Sequence, residues 1–227
     1  QARSQGKSVF VYCEFVQGSG AILFASLLEQ FGFIQASGNE PNNSFSPRYA
    51  IITNLTSTAT KTKKLIDRFN QSDNATGQVI NVIIGSKVIS EGFSLQNVQV
   101  VEVLTPHWNY SELAQAIARG IRLESHKDLI DAGKTPEVKV YHHVSMPKSK
   151  TPSIDLEMYT LCESKDISIK AVERLMKESA VDCALFYERN RAGINPIDGS
   201  RECDYQSCEY TCDGISNMNV VEGNLDY

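Results

Sequence analysis

No apolar run in this 227-residue chain approaches the roughly 20 residues that a bilayer-spanning helix needs, so no membrane partner is expected. The amino-terminal Gln1-Ala-Arg-Ser-Gln-Gly-Lys7 has no apolar core and does not read as a signal peptide. Nor does it begin with Met, which suggests a fragment cut from a longer polypeptide. An excess of positive charge is missing too: 22 Lys and Arg against 27 Asp and Glu leave −5. That balance excludes a protein that merely coats nucleic acid, although a local groove can still grip a few phosphates. There is no internal repeat. The six cysteines show no regular framework: Cys13, Cys162 and Cys183 are dispersed, and Cys203, Cys208 and Cys212 are clustered. Without a secretion signal, reduced thiols and an intracellular setting are expected. The Asn-x-Ser/Thr tripeptides at Asn42, Asn54, Asn74 and Asn109 then read as chance matches.

What is present is an alternation of apolar strands and amphipathic helices. Ser8–Cys13 reads as a first strand, followed by a turn at Gln17–Gly20 and a helix over Ala21–Phe31 that Gly32 ends. Gly38–Pro47 is polar and reads as a loop. Arg48–Thr53 is a second strand, Asn54–Thr58 a capping turn and Thr60–Gln71 a helix. After a break at Asp73–Gly77, Val79–Ile84 and Val98–Leu104 are strands, the former apolar enough to be buried on both faces. Ser111 is a candidate cap for a helix over Glu112–Leu123, and Val138–Val144 is the last strand. Met146–Ser153, with two prolines, reads as a linker. Beyond it Leu156–Cys162 and Ile167–Tyr187 read as helices, with Asp166 or Ser168 as a cap, and irregular chain follows Asn190. The expected fold is α/β, a mostly parallel sheet covered on both faces over residues 1–146, with a helical and irregular extension over 153–227.

Chemistry concentrates in Gln115-Ala-Ile-Ala-Arg119-Gly-Ile-Arg122. On a continuous helix, positions 115, 119 and 122 share one face. One amide and two guanidinium groups would then meet a single polyanion, and guanidinium suits a phosphoryl group whose charge is spread over several oxygens. A surface face with two arginines is the plain alternative. Its neighbourhood favours the chemical reading, because a buried strand, the loop Gly85–Leu95, another strand and Thr105-Pro106 precede it.

With these segments in order, the chain resembles the second RecA-like lobe of superfamily 2 helicases, in particular the ATPases of poxviruses and related large cytoplasmic DNA viruses. Ser8–Phe15 with Gly18-Ser19-Gly20 is similar to motif IV, Gly85–Leu95 to motif V and Gln115–Arg122 to motif VI. The tail Ile169–Cys183 is similar to a helix that follows the motor in the viral proteins. Ala118 departs from the usual Gly before the first arginine, a change small enough to keep close packing.

The resemblance implies a role for each position. Gln115 would orient the γ-phosphate or its attacking water, and Arg119 and Arg122 would be arginine fingers. Glu91 and Gly92 would lie by the nucleotide sugar, unless Gly92 only serves a turn. Ser86 and Lys87, with Thr53 and Asn54, would touch single-stranded or duplex nucleic acid at the carboxyl ends of strands. Thr53 and Asn54 could equally cap a helix.

No Gly-x-x-x-x-Gly-Lys-Ser/Thr loop occurs, and no acidic box for magnesium follows a strand. ATP and Mg2+ would therefore be shared with an amino-terminal lobe, and this chain alone should be inactive. Cys203, Cys208 and Cys212 could hold Zn2+ with a fourth ligand from Cys183 or a histidine, although the spacing is not a standard pair. The resemblance further implies partners in viral transcription and a place in the host cytoplasm, at the viral factory, or in the virion. A lobe without coupling that docks a transcription or packaging partner is the alternative.

Overall fold

The computed structural model describes residues 6–41, 46–90, 93–122, 124–148, 151–191 and 195–212. The chain forms two compact units, Gln1–Tyr159 and Thr160–Tyr227.

The first unit is a six-stranded sheet. In chain order its elements are β1 (Ser8–Tyr12), α1 (Ala21–Gln30), β2 (Ile34–Gln35), β3 (Arg48–Ile52), α2 (Ala59–Phe69), β4 (Val82–Gly85), α3 (Lys87–Ser90), β5 (Val98–Val103), α4 (Tyr110–Ile117), α5 (Lys127–Asp131) and β6 (Lys139–His142). The strand order is β2-β3-β4-β1-β5-β6. Every described pairing is parallel. Val9 pairs with both Val82 and Val100, so β1 sits between β4 and β5. The sequence predicts this mostly parallel α/β fold, and the structure has it.

Because successive strand residues point to opposite faces, β1 feeds two cores. Phe10 and Tyr12 join Ala50, Ile52, Ile83, Val101 and Val103 beneath Leu65, Phe69 and Leu113 of α2 and α4. Val9 and Val11 join Tyr49, Ile51, Ile84 and Val100 beneath Ala21 and Ala25 of α1. Burial on both faces explains why these strands read as continuous apolar runs rather than alternating ones. A fully buried side chain such as Phe10 or Ile83 contributes roughly 1.5–3 kcal/mol by its removal from water.

The segment between α2 and β4 is held by Asn74, 1% exposed. Its amide donates to the carbonyls of Phe69 (2.9 Å) and Ile80 (3.2 Å), and its carbonyl accepts from Val79 N and Ile80 N, both at 2.9 Å. A side chain with every partner satisfied thus closes a turn that the sequence marks only as a break, and it is inaccessible to a glycan.

Several elements differ from expectation. The helix expected over Glu112–Leu123 stops at Ile117, because the amides of Arg119 and Gly120 turn to carbonyls three residues back, at Ala116 and Ile117. Its N-cap is Asn109 rather than Ser111, with no side-chain cap bond. The strand expected from Val79 begins at Val82, since the amides of Val79 and Ile80 go to Asn74. Two helices expected after Met146 are one, α6 (Ile154–Ser179), which begins in the first unit and ends in the second. Asp166 lies inside it and caps nothing. Its carboxylate, 4% exposed, accepts from Arg201 (2.7 and 3.2 Å) and from the Tyr205 hydroxyl at 3.0 Å. Burial and this contact push the Tyr205 hydroxyl up to about 12.

In the second unit, Lys170, Arg174 and Lys177 recur at helical spacing on α6, and their side chains surround Asp204, which is 4% exposed. Arg174 also donates to the carbonyls of Ser207 (2.9 Å) and Glu209 (2.8 Å) and lies 4.6 Å over the Tyr210 ring. The expectation of reduced thiols is overturned here: Cys183 bonds Cys212 and Cys203 bonds Cys208. Only Cys13 and Cys162 remain free, both buried. The zinc site expected from Cys203, Cys208 and Cys212 falls with it, because zinc takes thiolates. Among the described residues no group of three His, Cys, Asp or Glu is placed to hold a metal.

Two measurements follow from this packing. Asn74→Ala leaves two amides and two carbonyls buried without their partner, so unfolding free energy falls by about 3 kcal/mol or more in denaturant titration. Reduction by a thiol reagent opens the loop closed by the disulfide 29 residues apart. It lowers the stability of the second unit by about 3 kcal/mol in melts with and without reductant.

Candidate functional site

The sense of the strand order changes at β1, from which the chain crosses to β2 at one edge while β5 leads to β6 at the other, and in open parallel sheets ligands bind beyond the carboxyl ends of strands at such a point. Loops after β1, β3, β4 and β5 converge there. After β1, Gly20 N donates to Gln17 O at 3.2 Å, and the first amides of α1, at Ala21 and Ile22, donate to Phe15 O (2.8 Å) and Val16 O (3.1 Å). A Cβ at Gly20 would stand 2.0 Å from the Phe15 carbonyl oxygen, so only glycine permits this closure. The amino end of α1 is therefore satisfied from within the chain.

After β3, Thr53 is 0% exposed. Its hydroxyl lies 2.8 Å from that of Thr56 and accepts from the amides of Leu55 and Thr56. It fixes a turn that presents Asn54 to solvent, while the cap of α2 is Thr58, whose hydroxyl accepts from Lys61 N. After β4, Ser86 is 3% exposed; its amide donates to Ile52 O at 3.4 Å and its carbonyl accepts from Ile89 N at 3.0 Å. The next residue, Lys87, is exposed. Glu91 and Gly92, expected beside a nucleotide sugar, lie outside the described residues.

After β5, Thr105 Oγ1 accepts from Glu14 N at 2.9 Å, and His107 Nε2 lies 3.4 Å from the Glu14 carboxylate. Burial, with Glu14 and Glu112 nearby, pushes the Tyr12 hydroxyl up to about 12, so it stays protonated at neutral pH.

The segments similar to motifs V and VI are joined directly. α3 packs against α4. Leu95 N donates to Arg119 O at 3.1 Å, and the Arg122 guanidinium donates to Ser94 Oγ. Gly120 sits on β5, where a Cβ would meet Val98 Cγ1 at 3.2 Å and Val101 Cγ2 at 3.3 Å. This contact holds the chain after α4 against the sheet.

The expectation that Gln115, Arg119 and Arg122 share one helical face is corrected. Gln115 lies in α4 and is exposed; Arg119 follows the helix in a turn and is half-buried; Arg122 is beyond it and exposed. Among the described residues, no carboxylate lies within ion-pair distance of either arginine. Two guanidinium groups with no acidic partner among the described residues are donors that fit phosphate oxygens.

Residues that sequence reasoning misses hold Arg122 in place. Ser125, 1% exposed, accepts from Arg122 N at 3.2 Å and donates to Arg122 O at 2.8 Å. Its hydroxyl also meets His126 Nδ1 at 2.9 Å, and His126 Nε2 reaches Val98 O at 2.6 Å. Asn97, at φ 57°, donates its amide N–H to Ser125 O at 2.7 Å and its side chain to Asp128 at 2.7 Å. The one signal in the sequence is the Asn, a residue tolerant of positive φ.

The helicase conserved C-terminal domain matches residues 2–124, more than half of the chain. The chain belongs to that family. A protein of Invertebrate iridescent virus 3 named as helicase 087L is 44% identical over 99% of this chain and 23% of its own length. One of Frog virus 3 (isolate Goorha), named as helicase 009L, is 42% identical over 98% of this chain and 23% of its own. Nucleoside triphosphatase I of Melanoplus sanguinipes entomopoxvirus is 34% identical over 52% of this chain and 18% of its own. This helicase C-terminal domain thus spans less than a quarter of the length of those relatives.

Ser125→Ala deprives the Arg122 amide of its acceptor in a buried turn. Denaturant titration of the variant is expected to show a loss of about 1–3 kcal/mol.

Proposed function

We propose that this chain is the C-terminal motor lobe of a nucleic-acid-dependent ATPase or helicase of a large DNA virus, serving viral transcription in the host cytoplasm or the virion. The observation that carries it is the clasp between the motif V and motif VI segments. Leu95 N–H on Arg119 O and Arg122 on Ser94 bring both segments to one place, and among the described residues neither guanidinium group has an acidic partner.

ATP would be held by an amino-terminal lobe of the same polypeptide, because this sequence has neither a phosphate loop nor an acidic metal box. Magnesium bound there with ATP supplies charge neutralisation at the phosphates. Arg119 and Arg122 reach the transferring phosphoryl group as arginine fingers and neutralise charge that spreads over its oxygens. Gln115 orients the attacking water or the γ-phosphate. Glu91 and Gly92, outside the described residues, are the positions that the resemblance assigns to the nucleotide sugar. On the nucleic-acid side the exposed Lys87 and Asn54 contact the phosphate backbone. Thr53 and Ser86, buried beneath them, set the backbone that presents these side chains. Lobe closure on ATP and release after hydrolysis then move a strand across the carboxyl edge.

The test joins this lobe to its amino-terminal partner and compares Arg122→Ala with the parent in steady-state ATP hydrolysis. Turnover should drop on the order of 10³-fold, while this lobe alone should show none. Equal turnover in the joined variant would refute the role of Arg122 and, with it, the motor reading.

A further inference from the structure

Away from the carboxyl edge, positive charge gathers against the chain's overall balance. Lys61, Lys63 and Lys64 fall within four residues of α2, whereas the whole chain carries −5. They line two adjoining cavities of about 620 and 520 Å3 that share Thr60 and Lys64. Together these make one groove along α2, an eleven-residue helix about 16 Å long at 1.5 Å per residue. The opposite wall is the turn after β2. There Gly38, at φ +88°, leaves room for the Lys64 stem; a Cβ would stand 2.9 Å from Lys64 Cγ. The Glu40 carboxylate accepts from the amides of Ser37 (2.5 Å) and Gly38 and from the Ser37 hydroxyl (2.9 Å), so it is occupied in holding that turn.

We propose that this groove is a second nucleic-acid site, in which Lys61, Lys63 and Lys64 bind the phosphodiester backbone of a strand extending beyond the carboxyl edge of the sheet. The proposal rests on the nucleic-acid reading of this lobe and adds a site that its motifs do not contain. Two features set the class of ligand. Among the described residues the groove lining includes no aromatic and no branched aliphatic side chain, so they supply neither a stacking platform for bases nor an apolar anchor for a protein partner. Lysines on flexible stems act as point charges toward phosphate, without base readout. Arg68 is not among the ligands, because Asp73 holds it at 2.9 Å through both terminal nitrogens and Glu40 O accepts from its Nε at 3.0 Å. Asp67 is the one acidic residue among the described residues of the lining, and its charge opposes the lysines.

The probe is a fluorescently labelled mixed-sequence single strand of 20 nucleotides, titrated with the 227-residue chain by anisotropy over a range of salt. The variants are Lys61→Gln/Lys63→Gln/Lys64→Gln together, Asp67→Asn, and Lys87→Gln with Asn54→Ala at the sheet edge. Each phosphate neutralised by a lysine contributes about 0.7 to the slope of log K against log salt for a single strand. Loss of three lysines therefore reduces that slope by about 2 and weakens binding on the order of a hundredfold at 50 mM salt. Asp67→Asn should tighten binding. Lys63 and Lys64 are exposed and Lys61 is half-buried; glutamine keeps part of each stem, so the melt should be unchanged, and circular dichroism verifies this. A parent chain that does not bind the strand overturns the site. So does a triple variant with the parent's slope, or a loss confined to the sheet-edge variant. None of these results bears on turnover in the joined Arg122→Ala enzyme, so the two readings fail separately.

Discussion

Because β1 is paired on both sides, to β4 and to β5, the chain must leave the sheet's centre in two directions. Each departure ends in a segment with a task. The exit from β4 enters α3, and that from β5 leads through Thr105 to α4. A parallel strand cannot return by a tight turn, so each exit needs a covering helix. Both helices cover the face that α2 also covers, through Ile89 and Leu113, while α1 covers the other, so both faces of the sheet are buried. Packing and chemistry are thus set by the same connection. The contact of Gly120 with Val98 and Val101 brings the arginine segment onto β5, and the amide of Leu95 completes the join at Arg119 O.

The sheet was largely legible in the sequence. Ser8–Tyr12, Arg48–Ile52 and Val98–Val103 are apolar because both faces are buried, and that constraint leaves a direct trace in composition. Elements defined by other forces leave less. Ile34–Gln35 is two exposed residues paired only with β3, with no hydrophobic signature to find. α5, five residues long, is fixed by its neighbours rather than by its own propensity. The end of α4 at Ile117 depends on what Gly120 touches across the sheet, a contact no local pattern encodes. The continuity of α6 through Asp166 has the same origin, since its carboxylate is matched by Arg201 and Tyr205, over 30 residues away in sequence.

The candidate site was legible as motifs and illegible as geometry. Spacing alone puts Gln115, Arg119 and Arg122 on one helical face; the structure spreads them over a helix, the turn that follows it and the turn that Ser125 closes. What replaces the helix as an organiser is Ser125 with His126 and Asn97, residues whose roles are visible only once the chain has folded back. The cysteines show the opposite failure. Their clustering suggested a ligand set, yet each sulfur from Cys183 onward is paired with another. That covalent closure gives an otherwise Gly- and Asn-rich tail a framework, with Asp204 and the α6 cations inside it.

Among the described residues the side-chain partner of Arg122 is a serine hydroxyl rather than a carboxylate. A guanidinium resting on a neutral acceptor gives up little when a stronger anion arrives, whereas one neutralised by Asp or Glu would first have to break a charge-assisted bond. Little of the differential affinity that shifts a two-state equilibrium is spent on undoing the resting arrangement. The hydroxyl serves as a parking place: it keeps a long, mobile side chain from wandering, yet releases it at small energetic penalty.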